Sequence, residues 1–234
     1  MIVSPGLSGA ANMEQDRKLF QGCEAGLTPA TLRIYSWRPN CISVGYAQQL
    51  DEEIDPERAA AVGYDVVKRP TGGGIVFHNE AEVTYSLVMP LNDPRLPKGL
   101  IASYKIISEA VVIGLKNLGV KSEVKATCDP HPPSRDPLCF AYPAEYEIVA
   151  GGRKLVGSAQ RRGRHAMLQQ GSIFVRQPAA AAFSALKQPF VGHNAVSLEE
   201  LLGRPIGFEE LKDSLIAGFR DGLSAVLTQT SQRP

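Results

Sequence analysis

The chain has 234 residues, 44% of them hydrophobic, which is enough to bury a substantial core. Twenty-five basic against twenty-four acidic side chains leave a net charge of +1, so no global field attracts nucleic acid or anionic lipid and any charged partner has to be met by a local patch. The four cysteines, Cys23, Cys41, Cys128 and Cys139, show neither CxxC nor metal-ligand spacing, which argues against a metal site and fits a reducing cytoplasm better than secretion.

Asn12 to Gly22 carries a helical pattern with an asparagine start. Leu32 to Trp37 and Ile42 to Gly45 read as strands separated by a turn at Arg38-Pro39-Asn40. Pro56 to Val62 predicts a short helix beginning after Asp55, with proline where its missing N–H costs nothing. Strands follow at Tyr64 to Lys68, Ile75 to His78 and Val83 to Met89, then a proline-rich loop from Asn92 to Leu100. Ser103 to Leu118 has the apolar spacing of a buried helix face and ends at Gly119. Residues 127–143 hold five prolines, two cysteines and a histidine, which predicts a long active-site loop.

Beyond that loop, Glu145 to Val149, the turn Ala150-Gly151-Gly152 and Arg153 to Ala159 predict a hairpin. Ala166 to Val175 reads as a strand and Pro178 to Leu186 as a helix. Ser197 with Glu200 suits a capping box, and Phe208 to Leu227 closes as an amphipathic helix before a frayed tail at 228–234. Many strands with helices grouped between them predict an α+β fold, a mixed sheet with helices packed on it, in one domain spanning 1–234. Met1 to Gly9 has no basic n-region, and nowhere do about eighteen apolar residues run together. A soluble cytoplasmic protein, with neither membrane nor nucleic-acid partner, is the expectation.

Two stretches carry chemistry. Cys139 lies between Pro137 and Pro143, so its backbone is irregular but restricted, and Lys154 stands on the return strand of the hairpin. A thiol on a stiff loop can meet a strand-borne ammonium, which lowers the thiol pKa and raises the reactive thiolate fraction. Cys128 in the same loop is the rival nucleophile; Cys23 and Cys41 read as small buried hydrophobes. The second stretch is Arg69-Pro70-Thr71-Gly72-Gly73-Gly74, a glycine-rich turn between strands whose bare backbone allows close approach of a ligand. No Gly-Lys-Ser/Thr follows it and the next segment is a strand, which excludes a Walker loop and a dinucleotide fingerprint. His78 reads first as a hydrogen-bonded structural imidazole.

Arg69-Pro-Thr-Gly-Gly-Gly-Ile-Val-Phe-His78 with Glu82-Val-Thr-Tyr-Ser86 resembles the signature of the lipoate and biotin protein ligase family, and Gly152-Arg-Lys-Leu-Val-Gly-Ser-Ala-Gln160 its lysine motif. Asn12-Met13 with Asp16, Trp37-x-Pro39 with Ser43-x-Gly45, and Gln169-x-Gly171-Ser172 extend the match. Leu138-Cys139-Phe140 with Pro143 and Tyr146-Glu147 is similar to the LipM-type octanoyltransferases within that family. Ala144 stands where serine is usual there, and Gln170 where histidine often precedes Gly-Ser-Ile.

The resemblance implies a class II biotin/lipoate ligase-like fold and an octanoyltransferase that moves an octanoyl group from acyl carrier protein to a lysine of a lipoyl-bearing protein. The acceptors would be the glycine-cleavage H protein or a 2-oxoacid dehydrogenase lipoyl domain. It implies Cys139 as acyl acceptor and Lys154 as its activating partner, with Arg69, Thr71, Gly72, Gly73, Gly74, His78, Gly157, Ser158 and Ala159 binding substrate. A thioester donor is already activated, so no cofactor is expected. An ATP-dependent lipoate ligase is the alternative. Whether Lys154 is a fixed cation or a base stays open at this point. The cluster Arg161-Arg162-Gly163-Arg164-His165 is the strongest local charge, either a solvated turn or a dock for an acidic carrier.

Overall fold

The computed structural model describes residues 1–125, 146–190, 192, 194–225 and 227–228. The expected loop at 127–143, with Cys128 and Cys139, therefore lies outside the described residues, as do 229–234 of the expected tail. In chain order the strands are β1 (Ile2–Leu7), β2 (Thr31–Trp37), β3 (Asn40–Val44), β4 (Tyr64–Lys68), β5 (Val76–His78), β6 (Val83–Pro90), β7 (Glu123–Val124), β8 (Ile148–Ala150), β9 (Arg153–Arg162) and β10 (Ala166–Ile173). The helices are α1 (Gly9–Glu24), α2 (Leu50–Glu53), α3 (Pro56–Ala61), α4 (Leu100–Asn117), α5 (Leu198–Leu202) and α6 (Phe208–Gly222).

The fold is α+β with mixed pairing. One sheet has seven strands in the order β1-β2-β6-β10-β9-β8-β7, and a second has three in the order β4-β3-β5. β1 pairs with β2 in parallel and β3 with β4 in parallel; the other ladders are antiparallel. The α4 and α6 helices cover one face of the large sheet, where Ile107, Val111, Leu115, Leu211, Leu215 and Phe219 meet Tyr85, Leu87 and Val156 in the main core. Close approach of the two helices depends on small residues. A Cβ on Gly218 would lie 2.4 Å from the Ala110 carbonyl oxygen, so only glycine fits there.

On the other face lies α1. Its Ser8 N-cap accepts from the Ala11 N–H, and Asn12, Met13, Asp16, Phe20 and Cys23, one helical stripe, are buried. Phe20 and Cys23 pack on Val88, Ala166 and Leu168, while Met13 packs with Tyr35, Trp37 and Cys41. The small sheet has its own core of Ile42, Val44, Ile54, Tyr64, Ile75, Phe77 and Leu186. The two sheets thus meet beside the N-terminal half of α1.

Several expectations need correction. Ile2–Leu7, where no element was expected, is a strand; Pro5 lacks a ladder donor, and an edge position accommodates it. The helix expected over Pro178 to Leu186 is a 3₁₀ segment, Ala180–Ala185, with no side-chain cap. The last helix stops at Gly222 rather than reaching Leu227. By contrast β4 runs over Tyr64–Lys68 as expected, Asp55 caps α3 with Pro56 in its first turn, and Ser197 and Glu200 form the reciprocal capping box of α5. Among the described residues no helix is long and apolar enough to cross a membrane.

Candidate active site

The β8–β9 hairpin turns through Gly151 and Gly152, both at positive φ (56° and 75°), the pairing that a two-residue turn of the primed type requires. Its register is irregular. Ile148 faces Val156 but Val149 faces Lys154, so Leu155 is an extra residue in β9. Cross-strand partners share a face. The bulge therefore turns Lys154 away from the Val156 side and onto the face that carries Gly157 and Ala159. Lys154 is fully buried, its backbone is fixed on the other edge by Asn194 and Val196, and its Nζ lies 2.5 Å from Glu147 Oε1. Glu147 was not anticipated as part of the site; two residues before Val149, it stands on the face of Lys154, and the hairpin register is the signal that finds it.

A cavity of about 20 Å³ opens where the two sheets meet, lined by Met13, Tyr35, Trp37 and Thr84 together with Arg69, Thr71, Val76, His78, Gly157, Ser158, Ala159, Gln170, Gly171 and Ser172. Six of the residues expected to bind substrate, Arg69, Thr71, His78, Gly157, Ser158 and Ala159, are in that wall. Gly72, Gly73 and Gly74 form the turn behind it and do not line it. Lys154 does not line it either, but sits three residues from Gly157 on the same strand, about 10 Å at strand rise. The volume admits one water-sized sphere, so anything larger enters only if wall side chains rotate.

Arg69 is buried and acts as a clasp. Its Nη1 donates to Ser43 O and Oγ at 2.8 Å each, and its Nη2 to the Gly72 and Gly74 carbonyls at 2.9 and 2.6 Å. The turn is thereby curled onto β3, and Gly45 must be glycine because a Cβ there would lie 1.9 Å from the Gly73 oxygen. The next residue, Thr71, donates through Oγ1 to Gln170 Oε1 at 2.7 Å. Gln170 in turn donates to Asp16 Oδ2 at 2.7 Å. Asp16 also accepts from Tyr35 OH (2.9 Å), Ser86 Oγ (2.7 Å) and Arg33 Nη1 (2.8 Å). Arg33 and Asp16 are both fully buried. This network ties the glycine-rich turn to β2, β6, β10 and α1; the part played by Arg33 was not anticipated, although a lone arginine inside an apolar strand was its signal.

His78 has the structural environment expected of it. Its ring stacks on Trp37 with centroids 3.9 Å apart, Nε2 meets Ser43 Oγ at 2.6 Å and Nδ1 meets Glu82 Oε1 at 2.6 Å. Glu82 Oε1 also accepts from Ser172 and Thr84, and Thr84 accepts from the Trp37 indole. Burial pushes the thiols of Cys23 and Cys41 up, Cys41 well above the ordinary range, with nearby carboxylates adding to it. Neither is a nucleophile near neutral pH.

The arginine cluster forms the β9–β10 turn. Arg161 lies over the rings of Phe20 and Tyr46 and reaches the Pro70 carbonyl at 3.3 Å, which joins the cluster to the glycine-rich turn. Arg162 donates to Ser103 and Gln160. Below them the Glu24 carboxylate accepts from the N–H groups of Arg164, His165 and Ala166 at 2.6, 3.0 and 2.8 Å.

Comparison with known proteins agrees with this geometry. Residues 8–220 match the lipoyl protein ligase A/B catalytic domain. The chain is 39% identical to the octanoyltransferase LipM of Kyrpidia tusciae over 94% of its own length and 85% of that protein's. It is 36% identical to the octanoyltransferase LipM of Geobacillus kaustophilus over 93% and 84%. In fold it is similar to Ta0514, a lipoate protein ligase of T. acidophilum solved with lipoic acid, with a TM-score of 0.76 at 20% identity over 99% of this chain and 89% of that one. With two thirds of the chain and more covered in each comparison, this protein belongs to the lipoyl protein ligase A/B catalytic-domain family.

Proposed function

We propose that the protein is an octanoyltransferase that takes an octanoyl group from acyl carrier protein onto the Cys139 thiol and passes it to a lysine of a lipoyl-bearing protein, in two thioester-driven steps. The observation that carries the reading is 39% identity to an octanoyltransferase LipM across nearly the whole chain. The chain also holds a cysteine in Cys139-Phe140 with Pro143, fifteen residues ahead of the buried Lys154. Exchange of a thioester for a thioester is nearly thermoneutral, and the final amide runs downhill, so no cofactor is needed. Lys154 supplies positive charge to the thiolate and to the oxyanion of each tetrahedral intermediate, a kind of stabilisation worth about 3–4 kcal/mol per well-placed donor.

The apolar wall of Met13, Trp37 and Val76 suits an aliphatic chain, and Met13, with three rotatable bonds, is the side chain that yields most readily as it enters. The acceptor is the glycine-cleavage H protein or a 2-oxoacid dehydrogenase lipoyl domain, in a reducing cytoplasm that keeps Cys139 a free thiol. Arg161, Arg162 and Arg164, one turn beyond the cavity wall, steer the acidic carriers. The test is intact mass after incubation with octanoyl-acyl carrier protein. One octanoyl group is expected on the peptide holding Cys139, and none on Cys139→Ser. If Cys139→Ser still modifies a lipoyl domain from free octanoate and ATP, the protein is a ligase and the reading fails.

A further inference from the structure

Glu147 is 4% exposed and holds its carboxylate 2.5 Å from the Lys154 ammonium, itself buried to the same degree or more. The surrounding backbone is built to keep it there. Tyr146, the residue before it, is held at φ 67°, a left-handed conformation that a bulky side chain adopts only when its neighbours impose it. The imposing bonds are Tyr146 N–H to Lys125 O and Lys125 N–H to Glu147 O, both 2.8 Å, which continue the β7–β8 ladder past its regular end. On the facing strand Lys154 pairs with Val149 and so shares the face of Glu147, and the extra Leu155 beyond it sets that face on the Gly157 side of β9. One irregularity on each strand thus flanks the ion pair: the left-handed Tyr146 before Glu147 and the extra Leu155 after Lys154.

An ammonium is costly to bury, and breaking a buried ion pair by removing one of its members is strongly unfavourable. We propose that Glu147 is the positioning residue of the acyl-transfer site: its carboxylate fixes the place of the Lys154 ammonium, so that Lys154 presents its positive charge from a stationary point. This rests on the assignment of Cys139 and Lys154 above. In the second step the C–N bond to the acceptor lysine forms as the C–S bond to Cys139 breaks, and the proton shed by the attacking amine goes to the departing Cys139 thiolate. Glu147 does not touch the acyl group; it acts through Lys154.

The experiment measures the rate of acyl-enzyme formation by intact mass in rapid-mix single turnovers, at varied octanoyl-acyl carrier protein, for Glu147→Gln, Glu147→Asp, Lys154→Gln and the double variant Glu147→Gln/Lys154→Gln. Glu147→Gln is expected to lower the maximal rate on the order of tenfold to a hundredfold, the loss that a small misplacement produces, with half-saturation unchanged within about twofold. Glu147→Asp keeps the charge and recovers most of the rate. In the Lys154→Gln background, Glu147→Gln costs nothing further, because the group it positions is gone. A wild-type rate for Glu147→Gln, or an equal loss in both backgrounds, overturns the proposal. If Glu147→Gln does not fold, the double variant, which buries no lone charge, gives the same answer against Lys154→Gln. Wild-type acylation by Lys154→Gln would instead refute the assignment of Lys154, and the two failures are told apart by that variant alone.

Discussion

Asp16→Asn isolates the buried charge at the centre of the network. The carboxylate accepts four hydrogen bonds, from Arg33 and Ser86 on Oδ1 and from Tyr35 and Gln170 on Oδ2. Asparagine keeps one oxygen for the first pair and offers an amide N–H₂ to the second. Tyr35 can rotate its hydroxyl and accept, and Gln170 can flip its amide, presenting oxygen to position 16 and nitrogen to the Thr71 hydroxyl, which also accepts. The hydrogen bonds are therefore largely repairable. What is not repaired is the charge of Arg33, which is fully buried and left with neutral acceptors only, the amide oxygen at position 16 together with Asn12 and Ser4. Breaking a buried pair by removing one partner costs about 3–5 kcal/mol, and since those neutral bonds survive, the loss should fall near the lower end, about 3 kcal/mol. Equilibrium urea unfolding followed by circular dichroism measures it, with the slope unchanged so that the midpoint shift reports stability. A loss under about 1 kcal/mol, the range of exposed pairs, would refute the argument that Asp16 compensates a desolvated guanidinium.

Replacing Arg161, Arg162 and Arg164 together by Ala should weaken carrier binding and flatten its dependence on salt, because these cations act by steering; unchanged kinetics at low ionic strength would dismiss the patch. For Glu24, burial pushes the carboxyl up and the N–H groups of His165, Ala166 and Arg164 more than offset this, leaving it below the usual carboxylate range. Its stabilisation is complete above the unfolded value of about 4.3 and is lost as pH falls through the lower folded one. Urea midpoints of wild type and Glu24→Gln should therefore differ at pH 7 and converge in acid; a difference that widens on acidification would contradict it.

The parts of the fold that were legible are those governed by neighbours in sequence. Strand β4, the Gly151-Gly152 turn and the caps at Asp55 and Ser197 each follow from residues within a few positions of one another. The failures have a common cause. Ile2–Leu7 contains Pro5 and Gly6, poor strand formers, and becomes a strand only because β2, some thirty residues on, supplies a parallel partner. The alanine run at 179–182 favours helix locally, yet the segment is held by packing of Ala182, Ala185 and Leu186 against Ile54 and Phe77 in the small-sheet core, and 3₁₀ geometry results. In the site, the family signature pointed to Arg69, Thr71, His78 and Lys154, but not to what each one touches. Arg69 proved to be engaged with main-chain oxygens of its own turn, a partnership that no spacing rule anticipates.

The way the sheets join also bears on which parts of the site can move. Where they meet, apolar packing of Met13, Trp37 and Cys41 is joined by directional bonds, Thr71 to Gln170 and His78 and Ser172 to Glu82. Among the described residues Glu82 Oε2 has no hydrogen-bond partner, at a cost of about 1–3 kcal/mol, so this junction does not reach its stability optimum. Such bonds break in whole units when a wall shifts, whereas a thioether side chain in apolar contact swings with little penalty. A cavity of about 20 Å³ therefore enlarges more cheaply through Met13, at the mouth of α1, than by moving the glycine-rich turn. Met13 lies one helical turn before its own strap Asp16 and three residues from it, so the wall that yields is carried by the helix that the Arg33–Asp16 pair holds in place. Rigidity of the turn and compliance of the pocket thus come from positions one turn apart on α1, where the polar Asn12 and Asp16 and the apolar Met13 and Phe20 share one buried face.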